Sequence, residues 1–201
     1  MTLKELSNII NTINEGYKRI SSKWEKVNTY KYNQSSKLVS DILTNESIDK
    51  NIKDYLSFLN MASAEIYEFS KYVSRVRIKN INSYINKIYY YIREKEEHGK
   101  VPIKKCINDL FGLRIITDNY LDFVDINNLI VSQFPFLKCT EKNSIDYKAT
   151  HIYFVKDNYN YQWELQIWYK GDEESNLLSH AKHKQQYTNW EYIINKEQKE
   201  G

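Results

Sequence analysis

The twelve residues 106–117, CINDLFGLRIIT, restrict what this chain can fold into more than any other stretch. Their second half, Leu113 to Thr117, is rich in β-branched side chains and predicts a buried strand. Gly112 at the strand's mouth admits a turn or the close approach of another backbone. Asp109 precedes the strand and Arg114 sits inside it. A carboxylate and a cation so placed suit a site for a metal-bound nucleotide. Taken alone they equally suit a capping or surface-paired aspartate and a structural strand arginine. What lies on either side has to decide.

No apolar run approaches the roughly 18 residues of a membrane-spanning helix, and the opening MTLKELSNIINTINEG breaks its apolar positions with polar and acidic ones. Both point to a cytoplasmic protein without a membrane partner. Cys106 and Cys139 are the only cysteines and form no CxxC pair, which argues against a zinc site or a disulfide framework. A formal net charge of +3 permits a phosphate-bearing partner without demanding one. With 201 residues and no Gly- or Pro-rich linker, the chain reads as one domain with a helical annex.

Leu3, Leu6, Ile10, Ile13, Tyr17, Ile20 and Trp24 recur at spacings of three and four, one apolar stripe on a long first helix. It reads as core, with docking of a partner protein or a second subunit as the other use of such a face. Lys18, Arg19, Lys23 and Lys26 lie beside it, as a solvated face or a patch for a nucleic-acid backbone. Residues 28–45 read as a loop or short helix. A second helix is predicted over 48–73, with Ile52, Tyr55, Leu56, Leu59, Ala62, Ile66, Phe69 and Val73 inward. Residues 72–79, YVSRVRIK, alternate towards their end, with Val76 and Ile78 inward and Arg75, Arg77 and Lys79 outward. A third helix over 81–96 buries Ile81, Ile85, Ile88 and Ile92, and places Ser83 and Lys87 one turn apart on one face. After the central strand come a helix over 122–133, a strand over 148–155 and a strand over 161–169. On the last of these Glu164, Gln166 and Trp168 face opposite to Trp163, Leu165, Ile167 and Tyr169. A final helix is predicted over 173–194. His180 and His183 on it are three apart, a spacing that can bind zinc, but no third ligand accompanies them. The sum is an α/β (α+β) domain with a mixed sheet of four to five strands flanked by helices.

Three features stand together. Arg77, Lys79, Ser83 and Lys87 enter and line the start of a helix, where free N–H groups and the positive dipole end favour phosphate. Asp109 stands at the mouth of one strand and Glu164 on another, a pair able to hold Mg²⁺, which takes few protein ligands and bridges to substrate phosphates. No glycine-rich phosphate loop is present, so a nucleotide would be gripped by side chains and metal.

The runs RIKNINSYINK (77–87), DLFGLR (109–114), YKATH (147–151), ELQI (164–167) and HKQQY (183–187) occur in this order. Together they resemble the synthetase domain of the RelA/SpoT family, of the stand-alone small alarmone synthetase type, over about residues 72–190. The resemblance implies a nucleotidyltransferase-like pyrophosphokinase domain over 72–194, an N-terminal helical region over 1–71 packed on it, and a charged tail over 195–201. It implies transfer of the β,γ-pyrophosphate of ATP to a ribose 3′-hydroxyl. In that reading Arg77 and Arg114 sandwich the adenine, and Lys79, Ser83 and Lys87 bind the ATP phosphates. Asp109 and Glu164 hold Mg²⁺, and Glu164 is also the general base. Tyr147 stacks on the acceptor base, His151 contacts acceptor phosphate and Gln166 supports Glu164.

The chain departs from the family pattern on the acceptor side. Asp146 stands where the family has Gly, and Asn143 where it has Lys. Trp168-Tyr169 replaces Arg-Thr, and Lys182 replaces a Glu. These changes weaken a seat for a guanosine polyphosphate. The family's toxic branch instead pyrophosphorylates the 3′-terminal adenosine of tRNA, an end without a 5′-polyphosphate to grip. The expectation is therefore a tRNA acceptor, with GDP or GTP as the alternative and a non-catalytic nucleotide sensor as a lesser one. An antitoxin protein and a homo-oligomer are the further partners that the resemblance brings into view.

Overall fold

A computed structural model describes residues 1–182. The HKQQY run with His183, the second half of the helix expected over 173–194 and the tail over 195–201 lie outside the described residues. Helix α1 (Leu3–Val27) begins at a capping box: the Thr2 hydroxyl accepts from the Glu5 N–H and the Glu5 carboxylate accepts from the Thr2 N–H. Its stripe from Leu6 to Trp24 is buried throughout and is consumed by the core, so it leaves no free docking face. Among its neighbouring cations, Lys18 pairs with Glu15, while Arg19 and Lys23 share Glu65.

The segment after α1 holds one short helix, α2 (Asp41–Thr44). The second long helix is broken, not continuous as the periodicity predicted. It comprises α3 (Glu46–Met61), α4 (Ser63–Tyr67) and a 3₁₀ turn (Glu68–Lys71). The inward stripe still holds, because Ile52, Tyr55, Leu56, Leu59, Ile66 and Phe69 are all buried. No Gly or Pro marks the break. It lies where the chain bends to set Phe69 edge-on to Trp163, at 5.9 Å between rings, and over Gly16 of α1.

Strand β1 (Arg75–Ile78) leads into α5 (Ile81–Arg93), which starts at an Asn80 side-chain cap. The expected α5 stripe needs correcting. Tyr84 and Ile88 are the residues driven into the core, Ile85 and Ile92 are half-buried, and Ile81 is exposed. Then follow α6 (Ile103–Cys106), β2 (Phe111–Thr117), α7 (Phe123–Gln133), β3 (Lys138–Ser144), β4 (Tyr147–Phe154), β5 (Trp163–Tyr169), a 3₁₀ turn (Lys170–Asp172) and a helix α8 described over 173–182.

The five strands form one mixed sheet in the order β1-β2-β5-β4-β3. The central pair β2 and β5 is parallel and the other three pairings are antiparallel. Strand β3 is not among the strands that the sequence predicts. Its run KCTEKNS is an exposed edge with little to bury, so it carries no alternation, and pairing with β4 makes it a strand. One sheet face carries Phe111, Leu113, Ile115, Ile152, Phe154, Trp163 and Leu165, all buried. Tyr17 of α1 packs there against Trp163 and Phe154, with ring centroids 5.5 and 6.2 Å apart. That face is the core, and the opposite face is polar and carries the site. None of the described helices is long and apolar enough to cross a membrane.

Candidate active site

Register builds the site. Because β2 and β5 run parallel with Gly112 opposite Glu164 and Arg114 opposite Gln166, alternate residues of both strands reach the same polar face. Antiparallel β1 adds Arg77 opposite Gly112 and Arg75 opposite Arg114. Antiparallel β4 adds Tyr153 opposite Glu164 and His151 opposite Gln166. A cleft of about 680 Å³ opens over this face, walled by the start of α5 and by α8. Gly112 leaves its floor bare, since a Cβ there would meet nothing within 4 Å and would project into the cleft.

At one end Asp109, in the loop before β2 and not on a strand, binds two lysines. Lys79 Nζ donates to its Oδ2 at 2.6 Å and Lys87 Nζ to its Oδ1 at 2.9 Å. Lys79, expected to face outward, is 6% exposed. Its backbone N–H bonds Leu110 O, which continues the β1–β2 pairing and keeps Lys79 on the cleft face with Arg75 and Arg77. Burial alone would raise the Asp109 carboxyl, but the charges of Lys87 and Lys79 and their hydrogen bonds override it and hold it far below the usual carboxylate range. Burial disfavours charge on Lys87 too, but Asp109 outweighs it and the ammonium is held more firmly than usual. Lys79 moves the other way, since burial and the nearby Lys87 and Arg77 charges exceed its gain from Asp109.

At the other end Glu164 is 5% exposed and accepts three hydrogen bonds. His151 Nδ1 lies 2.9 Å and the Tyr153 hydroxyl 3.1 Å from its Oε1, and Gln166 Nε2 donates to its Oε2 at 2.9 Å. Burial pushes this carboxyl up, but His151 and Gln166 reverse the shift, so Glu164 is also held anionic. Asn108 joins the two ends, its amide reaching the Tyr153 hydroxyl at 3.4 Å and its oxygen Lys87 Nζ at 3.4 Å.

Arg114 lies flat on Trp168, its guanidinium carbon 3.4 Å from the ring centroid, and its NH2 donates to Gln166 Oε1 at 3.2 Å. Burial and the neighbouring Arg75 lower it to about 10. His180 of α8 stacks on Trp168 with ring centroids 5.4 Å apart. Burial, Arg114 and Arg77 lower it to about 4. Asn176, fully buried, docks α8 on β4 by bonding both the N–H and the C=O of Lys148 at 2.8 Å.

Of the residues named from the sequence, Arg77, Lys79, Ser83, Lys87, Asp109, Arg114, Glu164 and Gln166 all line this one cleft. Tyr147 and His151 do not. Tyr147 is half-buried beside Trp168 and His180, its ring edge-on to both. His151 lies beneath, both ring nitrogens already bonded, so an acceptor phosphate would have to displace a partner. Asp146 and Lys182, two of the departures from the family pattern, face each other at 3.5 Å, both exposed. The sequence reading gave no role to Trp168, His180, Asn108, Tyr153 or Asn176. Only Trp168 carried a signal, since it shares a strand face with Glu164 and Gln166.

Five cations and two anionic carboxylates therefore share one cleft, and Arg75 and Arg77 have no carboxylate in ion-pair range among the described residues. The protein is an α+β domain with a surplus of cations in a cleft on the polar face of a mixed sheet. Solved structures similar to it include the following. The small alarmone synthetase 2 from Bacillus subtilis is 20% identical, over 66% of this chain and 80% of that one, at a TM-score of 0.41. The small alarmone synthetase 1 from the same organism is 15% identical, over 74% and 90%, at a TM-score of 0.38. The latter bound to AMPCPP is 18% identical, over 71% and 76%, at a TM-score of 0.31. No protein-family model matches the chain, and no curated protein does. Likeness of this order leaves the activity to be argued from the residues.

Proposed function

We propose that the protein is a pyrophosphokinase that moves the β,γ-pyrophosphate of ATP to a ribose 3′-hydroxyl, that of the tRNA 3′-terminal adenosine. The observation that carries the reading is the pairing of two carboxylates held anionic, Asp109 and Glu164, with a surplus of cations in one cleft. A binding module for anions has no use for two anionic carboxylates at the seat of the anion. Phosphoryl-type transfer does: it needs the developing charge neutralised and a base for the attacking hydroxyl.

In this reading Arg114, held on Trp168 by stacking and on Gln166 by a hydrogen bond, offers its free face to the adenine, and Arg77 covers the other side. Lys79, Lys87 and Ser83 take the phosphates at the start of α5. The acceptor 3′-O–H gives its proton to Glu164, its oxygen forms the bond to the β-phosphorus, and the bond from that phosphorus to the α-phosphate oxygen breaks to release AMP. Two hard oxygen donors fit Mg²⁺. Among the described residues no group of three or more His, Cys, Asp or Glu could hold a metal, so an ion here would need ligands beyond these two carboxylates. Asp109 and Glu164 would hold it, and when bound it neutralises charge on the transferred group. The tRNA acceptor is favoured by Asp146, an exposed carboxylate on the acceptor side answered among the described residues by Lys182, which does not suit a 5′-polyphosphate.

The test uses γ-labelled ATP, Mg²⁺ and purified protein with GDP, GTP or deacylated tRNA, each alone. Label on tRNA alone is expected. Label on GDP or GTP would make the protein an alarmone synthetase. Bound ATP with no transfer to any acceptor would leave a nucleotide sensor.

A further inference from the structure

Glu164 ends a row of hydrogen bonds that runs away from the cleft. Its Oε1 lies 2.9 Å from His151 Nδ1, and His151 Nε2 lies 2.9 Å from the Tyr147 hydroxyl. His151 and Glu164 are 6% and 5% exposed, so water does not compete for these bonds. The partners fix one hydrogen. A bare Nδ1 would set a lone pair against a carboxylate lone pair at contact distance, so Nδ1 carries a hydrogen and donates it. With the ring neutral, Nε2 is an acceptor and the Tyr147 O–H donates to it; with the ring charged, Nε2–H would donate to the Tyr147 oxygen instead.

The carboxylate is filled unevenly. Oε1 accepts from both His151 and Tyr153, and Oε2 from Gln166 alone. With two lone-pair sites on each oxygen, Oε2 is the one with capacity left. We propose that Tyr147 is a positioning residue for Glu164: its hydroxyl holds His151 with the Nδ1 hydrogen on Oε1, which turns the vacant side of Oε2 to the acceptor. The inference rests on the pyrophosphokinase reading and deepens it.

Tyr147→Phe removes the hydroxyl and keeps the ring. It is expected to lower kcat about tenfold, as loss of an outer partner of a reacting group does, with the acceptor KM unchanged within about twofold. His151→Asn puts an amide N–H near the Nδ1 position and cuts the link to Tyr147. In that background Tyr147→Phe should change kcat no further, because the pair acts as one unit. A second readout needs no turnover. With 15N-histidine labelling of the four histidines, His151 is assigned by its loss in His151→Asn. Its spectrum should show hydrogen on Nδ1 and none on Nε2, and should shift in Tyr147→Phe. Circular dichroism confirms that each variant is folded.

The proposal is overturned by hydrogen on Nε2, by an unchanged kcat in Tyr147→Phe, by a raised KM with kcat intact, or by losses that multiply in the double variant. A wild-type protein that labels no acceptor fails before any variant is made. That outcome removes the pyrophosphokinase reading and this inference together, and is told apart on that account.

Discussion

Replacing Asp109 with Asn should destabilise the protein as strongly as it disables it. Asp109 is the shared counter-charge of two lysines whose side chains are only 6% and 14% exposed. Removing one partner of a buried ion pair costs about 3–5 kcal/mol, because a buried charge is left unanswered. The Asn oxygen still accepts from one ammonium, which restores about 1 kcal/mol. A net loss of about 3 kcal/mol follows. For a chain of this size that is a fall in Tm of about 6–12 °C. Urea unfolding at pH 7 measures it directly. The cause is electrostatic, so adding Lys79→Met should recover part of the loss by removing the more buried orphan cation. The pH dependence has a definite sign. The folded Asp109 carboxyl lies below its unfolded value, so its contribution is in place above about pH 4 and fades as pH falls through the folded value. The variant should lack that acid limb. A loss below about 1 kcal/mol, or a further loss on adding Lys79→Met, would refute the shared-charge argument. Near-full ATP turnover with Mg²⁺ would separately refute Asp109 as a metal ligand.

Glu164→Gln should lower transfer by about 10²–10⁴-fold, the range of a positioned general base, while nucleotide binding survives, and isothermal titration against single-turnover assays separates the two. Arg114→Ala should weaken ATP binding by about 0.5–2 kcal/mol through loss of the cation face over the base, and should change the fluorescence of Trp168, whose ring it uncovers. Gly16→Ala should destabilise the fold by about 1–3 kcal/mol in thermal unfolding although Ala favours helix, because the added methyl would overlap the Phe69 ring.

Much of the polar face was legible before any coordinates. A period of two on β2 and β5 sets Arg114, Glu164 and Gln166 on definite faces whatever the fold, and one register brings those faces together. The helical stripes on α1 and α3 were readable for the same reason, since periodicity reports burial directly. Strand β3 was not, because an exposed edge strand has no burial to pattern its sequence. The break after Met61 was not, because it answers to Trp163, roughly a hundred residues away, and not to a local Gly or Pro. The alternation placed Lys79 on the face of Arg75 and Arg77, but did not show that this face lines a cleft where Asp109 buries the Lys79 ammonium.

The sequence by itself therefore determined the elements, the faces and the chemical kinds of side chain that the site would offer. Only the tertiary structure decided who partners whom: Asp109 with two lysines, Glu164 with His151, Tyr153 and Gln166, Arg114 with Trp168. The physical reason is range. Periodicity is a local record of burial, whereas a carboxylate's charge state and orientation are set by donors and charges that lie far apart in the chain and meet only when the sheet closes.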